Sequence, residues 1–298
     1  MGLQFYLRLC AAAYWVLCAV LLSGCVSSQG TAEFESYRAA TLKLSETSTL
    51  ILDQHAVQER ALFLKPESKQ LALKFDPDLA SYYTDTVDPP ATRAFRNAFQ
   101  AVIAYNDLLY GLSSGQTADA LTAKIGTLNS SLANSIRSAD FLSSSTLPQR
   151  VAISAGLQTA FFQVRPLLRA GLGLRSRQRF REYLIAFYPA TRNLLVGLRQ
   201  STSNMFLILN APELNRIRAS ATGQPSKEDL EHIVTYRRLL ANWVILIDAA
   251  IDGLDAAKRS IDAPASPADV VGGLTTATEE LNAASLAARR DLAALAAK

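Results

Sequence analysis

Cysteine and histidine are scarce in this sequence, and their scarcity excludes several kinds of chemistry. All three cysteines lie within the first 25 residues, and the two histidines are His55 and His232. The long remainder of the chain therefore cannot form a disulfide or supply cysteine ligands to zinc. Because the two histidines are not spaced as a ligand pair either, we expect no metal site, and we expect no cofactor. A chain of this length can bury a sufficient apolar core without disulfides.

Strand patterns and long apolar runs are also missing. Alternation of polar and apolar residues is nearly absent, whereas apolar residues recur at three- and four-residue spacing almost throughout. Beyond residue 25 there is no run of 18 uncharged apolar residues, so we expect no membrane-spanning helix there. The net charge of +4 is too small to indicate nucleic-acid binding. These patterns predict an all-α protein.

The one long uncharged apolar stretch lies at the N-terminus. It runs from Leu9 to Leu22 and is too short to span a bilayer. The run Leu22-Ser23-Gly24-Cys25 that closes it resembles the lipobox of bacterial lipoproteins. This resemblance implies that residues 1–24 are a cleaved signal peptide and that Cys25 carries a diacylglyceryl thioether and an N-acyl chain. An ordinary secretory signal that happens to precede a cysteine is the alternative.

The residue that follows the cysteine bears on location. An aspartate at this position commonly retains such lipoproteins in the inner membrane, and here it is Val26. The resemblance therefore implies a lipid anchor in the outer membrane, with the protein on its periplasmic face. Residues 25–30 would be the lipidated cysteine and a tether of about 15–20 Å at most. Residues 31–298 would form a single all-helical periplasmic domain, with a split near Ser145 or Gly223 as the alternative.

The clearest helical signals lie near the C-terminus. Ser226 followed by Glu228 and Asp229 predicts a capped helix start, and this helix should end near Asp262. Pro267 should open the last helix, and the short connection predicts a long antiparallel hairpin. The expected seam residues are Leu230, Ile233, Arg237, Leu240, Val244, Ile247, Ile251, Leu254, Lys258 and Ile261 in the first helix, and Leu274, Ala277, Leu281, Ala284, Ala288 and Leu295 in the second.

Similar stripes upstream predict further helices. We expect about seven in all, arranged as an elongated up-and-down bundle. Pro89-Pro90 should open one helix, Thr117 should cap the next, and Pro189 should separate two others. The expected core positions of the first three helices are Phe34, Tyr37, Leu44, Ile51 and Leu62, then Phe95, Phe99, Val102, Leu109 and Leu112, then Leu121, Ile125, Leu128, Leu132 and Ile136.

Candidate catalytic residues lack the context that catalysis needs. The run from Gly111 to Gly115 matches the pattern G-x-S-x-G, but a nucleophile elbow requires a preceding strand. We expect a turn between helices instead. His55 should be a partly buried, hydrogen-bonded side chain, and His232 should be solvated near a helix start. Because no nucleophile, base and orienting group come together, we expect that the protein is not an enzyme.

An arginine-rich segment is the one unusual charge feature. Arg175, Arg177, Arg179 and Arg181 lie within seven residues. On a helix they would form two i,i+4 pairs on different faces, and on an extended segment all four would share one face. They would suit contact with anionic lipid headgroups or with acidic groups of a partner. The alternative is a solvated helix face, paired with Glu182 and other acids.

These features favour a non-catalytic structural or interaction module that docks another envelope protein through helix contacts. The alternative is a carrier that holds a lipid or another apolar ligand in a groove of the aromatic middle third. An interaction module should expose an apolar stripe or patch. A carrier should enclose an apolar cavity of roughly 300–1,000 Å³.

Overall fold

The described part of the chain is helical. The structure, a computed structural model, describes residues 31–64, 75–144, 159–160, 177–262 and 267–296. Within these ranges the regular elements are all helices, which confirms the predicted all-α bundle. They are α1 (Thr31–Phe63), a 3-10 turn (Pro77–Leu79), α2 (Ala80–Tyr83), α3 (Pro90–Ser113), α4 (Ala118–Ser144), α5 (Arg177–Gln200), α6 (Thr202–Leu209), α7 (Ala211–Ala219), α8 (Lys227–Asp262) and α9 (Pro267–Ala296).

The directions of the long helices follow from pairs of contacts along each interface. Helices α3 and α8 run one way, and α1, α4, α5 and α9 run the other way. Most packed neighbours are therefore antiparallel, although α1 and α9 lie parallel. The contacts that set these directions are Arg38–Asp107 and His55–Thr92 between α1 and α3, Lys43–Asn282 and Thr47–Ser285 between α1 and α9, and Arg192–Asp255 and Arg199–Asp248 between α5 and α8.

The C-terminal helices form the predicted antiparallel hairpin. Ser226 and Asp229 cap α8 reciprocally, because the Ser226 hydroxyl accepts the Asp229 N–H at 3.1 Å and donates to its carboxylate at 2.7 Å. Small residues allow close approach further along, where a Cβ on Gly273 would lie 2.9 Å from the Cβ of Ala256. The predicted α9 seam is buried from Leu274 to Ala288.

The buried face of α8 is wider than the predicted seam. Leu230 and Arg237 belong to that seam but are exposed, whereas Trp243 and Leu246 are fully buried. The reason is that α8 packs against α5 and α6 as well as α9, so several faces of one helix are covered. A single heptad stripe describes only the contact with one partner helix.

The predicted break at Pro189 is wrong. Helix α5 continues through Pro189, and the chain turns instead at Ser201. The ring of Pro189 faces solvent, so the carbonyl that loses its hydrogen bond can be hydrated. Phe187 and Ala190 on either side are buried in the core, and this packing holds the helix together.

Tyr37 and Gly253 mark a close approach of α1 to α8. The Tyr37 hydroxyl donates to the carbonyl of Ala250 at 3.0 Å, and its ring lies where a side chain on Gly253 would be. A Cβ at that position would fall 2.1 Å from ring carbon Cε2. The glycine is therefore required by the packing of a large aromatic side chain and not by its backbone dihedrals.

Candidate functional site

The sequence-predicted site residues are only partly covered by the structure. Cys25 and Arg175 lie outside the described residues. Arg177, Arg179 and Arg181 lie at the start of α5, which confirms the helical alternative for this part of the arginine segment. Their i,i+4 spacing places the first and third on one helical face and the second on another.

Two arginines further along α5 have partners on α8. Arg192 Nε lies 3.3 Å from Asp255, and Arg199 Nε lies 2.7 Å from Asp248. Tyr188 donates to the same Asp255 carboxylate, which joins α5 to α8 through a small network. These arginines therefore serve contacts between helices.

The run from Gly111 to Gly115 is a turn between α3 and α4, as expected. Helix α3 ends at Ser113, and the Ser114 N–H still bonds to the carbonyl of Tyr110 at 2.8 Å. Gly115 has a φ of 78°, which favours glycine. The G-x-S-x-G pattern therefore forms the turn that reverses the chain between α3 and α4.

A buried carboxylate at the opposite end of α3 was not predicted. Glu59 on α1 is fully buried and points at the first turn of α3. Its Oε1 accepts from Ala91 N–H at 3.0 Å and from the Tyr82 hydroxyl at 3.3 Å. Its Oε2 accepts from the Thr92 N–H at 2.9 Å and hydroxyl at 2.8 Å. All four lone-pair sites of the carboxylate are therefore used.

His55 extends this network by one step. Its Nδ1 lies 2.7 Å from the Thr92 hydroxyl, which already donates to Glu59, so His55 must donate through a protonated Nδ1. The imidazole packs edge-on against Phe95, with ring centroids 5.4 Å apart. Its Nε2 has no hydrogen-bond partner within the described ranges, which fits a neutral ring.

Burial shifts both titratable groups toward their neutral forms. Desolvation raises the pKa of Glu59 from 4.5 to about 7, although the hydrogen bonds from Ala91, Thr92 and Tyr82 oppose the rise. Desolvation also lowers the pKa of His55 from 6.5 to about 3. Since these two side chains and Thr92 are completely buried, a substrate cannot reach them. We assign the network a structural role.

Sequence reasoning missed this network because it depends on long-range packing. The residue before α3 is Pro89, which offers no side-chain cap. A helix without a local cap must satisfy its first N–H groups elsewhere, and this was the one available signal. His55 is more deeply buried than expected, for the same reason.

A second polar cluster joins α7 to α8. Arg216 bonds to Asp229 at 2.7 Å and to Glu213 at 3.3 Å. Hydrogen bonds from Ser226, and then Arg216, hold the pKa of Asp229 below its usual value. His232 lies 3.4 Å from Glu213 and is only 26% exposed, so it is less solvated than predicted.

The outer face of α1 carries an exposed apolar stripe, which we call the α1 stripe. Its members are Leu42, Leu50 and Val57, together with Leu64 directly after the last residue of the helix, and they are 39–55% exposed. The last three are spaced by seven residues and so lie on one line along the helix. The stripe is about 33 Å long, at 1.5 Å per residue.

The acids beside the α1 stripe are neutralised by neighbouring helices. Glu46 pairs with Arg289 of α9 at 2.8 Å, and Asp53 pairs with Arg96 of α3 at 2.8 Å. Glu46, Asp53 and the exposed Gln54 lie between the apolar members on the same face, so apolar and polar side chains alternate along the stripe.

A pocket opens near the C-terminal end of the stripe. It has a volume of about 250 Å³ and is lined by Pro77, Asp78, Ala80, Ser81, Val87, Pro90 and Arg93. Val87 is exposed, and its carbonyl accepts from Arg60 Nη2 at 2.6 Å, so the pocket adjoins α1. Phe75, which is 74% exposed, packs against Tyr83 at the end of α2.

Two general features are absent from the described residues. Among the described residues, no group of three or more histidine, cysteine, aspartate or glutamate side chains is placed to hold a metal ion. None of the described helices is both long and apolar enough to cross a membrane. The chain shows no significant similarity to a protein family, to a curated protein sequence or to a solved structure.

Proposed function

We propose that this protein is a non-catalytic lipoprotein that docks another envelope protein. Its anchor would be the lipid on Cys25, in the outer membrane, with the helical bundle on the periplasmic face. The resemblance of Leu22 to Cys25 to a lipobox supports the anchor. The observation that carries the docking function is the α1 stripe.

The stripe suits a helix of a partner protein. Leu50, Val57 and Leu64 recur at heptad spacing, so a helix laid along α1 can pack side chains between them. Covering half-exposed side chains of this size contributes on the order of 1 kcal/mol each. Because Glu46 and Asp53 are already paired, docking does not require burial of an unpaired acid.

The position of the stripe also supports a protein partner. Thr31 begins α1 only six residues after Cys25, so the tether holds this end of the helix within about 20 Å of the bilayer. Helix α1 has 33 residues and spans about 50 Å. The end of the stripe near Leu64 can therefore lie well away from the membrane, within reach of a periplasmic protein.

The carrier alternative has less support. Tyr183 and Phe187 from the aromatic middle third are buried in the core, with ring centroids 4.3 Å apart, and so do not line an open groove. Phe161 and Phe162 lie outside the described residues.

Contact of the arginine segment with anionic lipid is a subsidiary proposal. A variant with alanine at Arg175, Arg177, Arg179 and Arg181 should bind vesicles of anionic phospholipid less than the parent protein. Binding by the parent should weaken as salt rises through the physiological range. Equal binding by the two proteins would remove this part of the proposal.

Photo-crosslinking in living cells tests the docking function. A photoreactive amino acid is placed at Val57, and a matched control is placed at Thr122, an exposed position on α4. We expect a discrete protein adduct from Val57 that is absent from Thr122. A Leu50→Lys substitution in the same chain should abolish the adduct without lowering the melting temperature.

Two outcomes of the crosslinking experiment would contradict docking. Lipid adducts alone at Val57, or the same protein adducts at both positions, would show that the stripe has no specific partner. The anchor is tested separately by Cys25→Ser, which should move the protein from the membrane fraction to the soluble fraction of the envelope.

A further inference from the structure

The backbone segments that form the pocket beside Val87 are held in place by two prolines and by hydrogen bonds to a buried carboxylate. Pro77 and Pro90 restrict the backbone on two sides. Tyr82 bonds to Glu59 from the wall formed by α2, and Ala91 bonds to the same carboxylate from the wall formed by α3. A pocket whose walls share one buried anchor loses little conformational entropy when it is filled.

The surroundings of the pocket resemble the centre of a protein-binding surface. Exposed apolar side chains lie around it, with Val87 on its rim and Phe75 two residues before Pro77. Leu64 lies one helical turn from Arg60, whose guanidinium reaches Val87. At about 250 Å³ the pocket is of the size that one large side chain fills, which is how anchor residues bind at interfaces.

The lining is mixed, since Asp78 and Ser81 contribute polar groups beside the apolar residues, and the one positive charge comes from Arg93. Its Nη2 donates to the backbone carbonyl of Asp88 at 2.6 Å, while the Asp88 carboxylate is taken by Arg96 at 2.6 Å. Among the described residues Arg93 makes no ion pair, so most of its five donors remain available at the edge of the pocket. A carboxylate placed there would form a charge-assisted pair.

We propose that this pocket binds one large apolar side chain of a protein partner, with an adjacent acidic residue of that partner on Arg93. The inference rests on the proposed function, since it names the recognition element of the docked envelope protein. The pocket lies near the C-terminal end of α1, far from the tether, and this favours a peptide segment over the membrane to which the chain is anchored.

A displayed library of random dodecapeptides, selected on the purified full-length protein in detergent, tests the inference. We expect enriched peptides to combine an aromatic residue or leucine with aspartate or glutamate one or two positions away. Binding of one synthetic peptide is then measured on Ala80→Trp, which fills the pocket, and on Arg93→Glu. Each should weaken binding at least tenfold, and a peptide with arginine in place of its acid should regain affinity for Arg93→Glu.

Matched controls keep the outcome clear. Ala241→Trp on α8 adds the same bulk to an exposed site, and Arg290→Glu on α9 makes the same charge change, and neither should alter binding. If Ala80→Trp unfolds, Val87→Lys replaces it. Failure to enrich peptides, or peptides that bind Ala80→Trp as well as the parent protein, would overturn the inference. Because the measurement is made in vitro, it does not depend on the anchor or on crosslinks from Val57.

Discussion

Glu59 Oε2 accepts two hydrogen bonds from a single residue, Thr92, which lies 33 positions further along the chain. One comes from the backbone N–H and one from the hydroxyl. The carboxylate therefore fixes both the backbone at the start of α3 and the rotamer of the Thr92 side chain. A side chain of α1 thereby acts as the N-cap of α3, where Pro89 offers none. The segment between these helices is tied in by Tyr82 through the same carboxylate.

Removal of this carboxylate should be costly. Glu59→Ala would leave the Ala91 and Thr92 N–H groups buried without an acceptor, and we expect a loss of about 3 kcal/mol in the free energy of unfolding. Urea titration measures the loss. The control is Asp53→Ala, which breaks an exposed ion pair with Arg96 and should cost less than about 1 kcal/mol. Equal costs for the two variants would mean that the cap contributes little.

The two shifted pKa values predict opposing effects of pH. Because the pKa of Glu59 rises to about 7 on folding, its contribution to stability is full below pH 4.5 and is lost as pH rises to 7. Because the pKa of His55 falls to about 3, its contribution is full above pH 6.5 and is lost as pH falls toward 3. Between pH 4.5 and 6.5 the two effects should nearly cancel.

Single variants should reveal each effect in that window. Relative to the parent protein, Glu59→Gln should lose up to about 1.4 kcal/mol of stability for each unit by which pH falls, and His55→Asn should gain as much. Denaturant titrations at pH 4.5, 5.5 and 6.5 measure the slopes. Slopes identical to that of the parent in both variants would show that neither group changes its protonation on folding.

Substitution by alanine should have opposite effects on stability at two glycines within helices. Gly253→Ala would drive a methyl group into the Tyr37 ring, and we expect a loss of about 2–3 kcal/mol. Gly126 on α4 has no atom within 4 Å of a built Cβ, so Gly126→Ala should stabilise the protein by up to about 1 kcal/mol. Thermal melts compare the pair, and a stabilising Gly253→Ala would disprove the close approach of α1 and α8.

Replacement of the helix-internal proline should increase stability. Pro189→Ala restores a backbone N–H in the middle of α5 and removes a residue that disfavours helix by about 3 kcal/mol. Since position 189 is exposed, no core contact is lost. We expect a higher melting temperature, measured by circular dichroism. A lower one would indicate that Pro189 itself is needed for the packing of α5 against its neighbours.

Much of the helical framework could be predicted from local sequence. The caps at Ser226 and Thr117 and the opening at Pro90 set helix starts within a residue of the observed ones, because capping uses side chains next to the helix they cap. The turn at Gly115 is local in the same way, since its φ of 78° favours one residue type.

The candidate sites were less predictable. Whether Leu50 and Val57 are exposed depends on which side of α1 its neighbours α3 and α9 occupy, and apolar spacing alone does not show this. The pocket at Val87 and Arg93 is built from the 3-10 turn, α2, the loop that follows and α3, which meet only in the folded chain. The role of Glu59 was hidden because its partners Tyr82, Ala91 and Thr92 lie 23 to 33 residues further along the chain.

The sequence by itself determined the all-α class, the long C-terminal hairpin and the turn at Gly115, because periodicity, caps and glycine conformations act over a few neighbouring residues. Only the tertiary structure decided that Glu59 is a buried cap, that Pro189 stays within a helix and that one face of α1 is left uncovered. These outcomes depend on which helices pack together, since packing outweighs local preferences when it excludes water from a whole helix face.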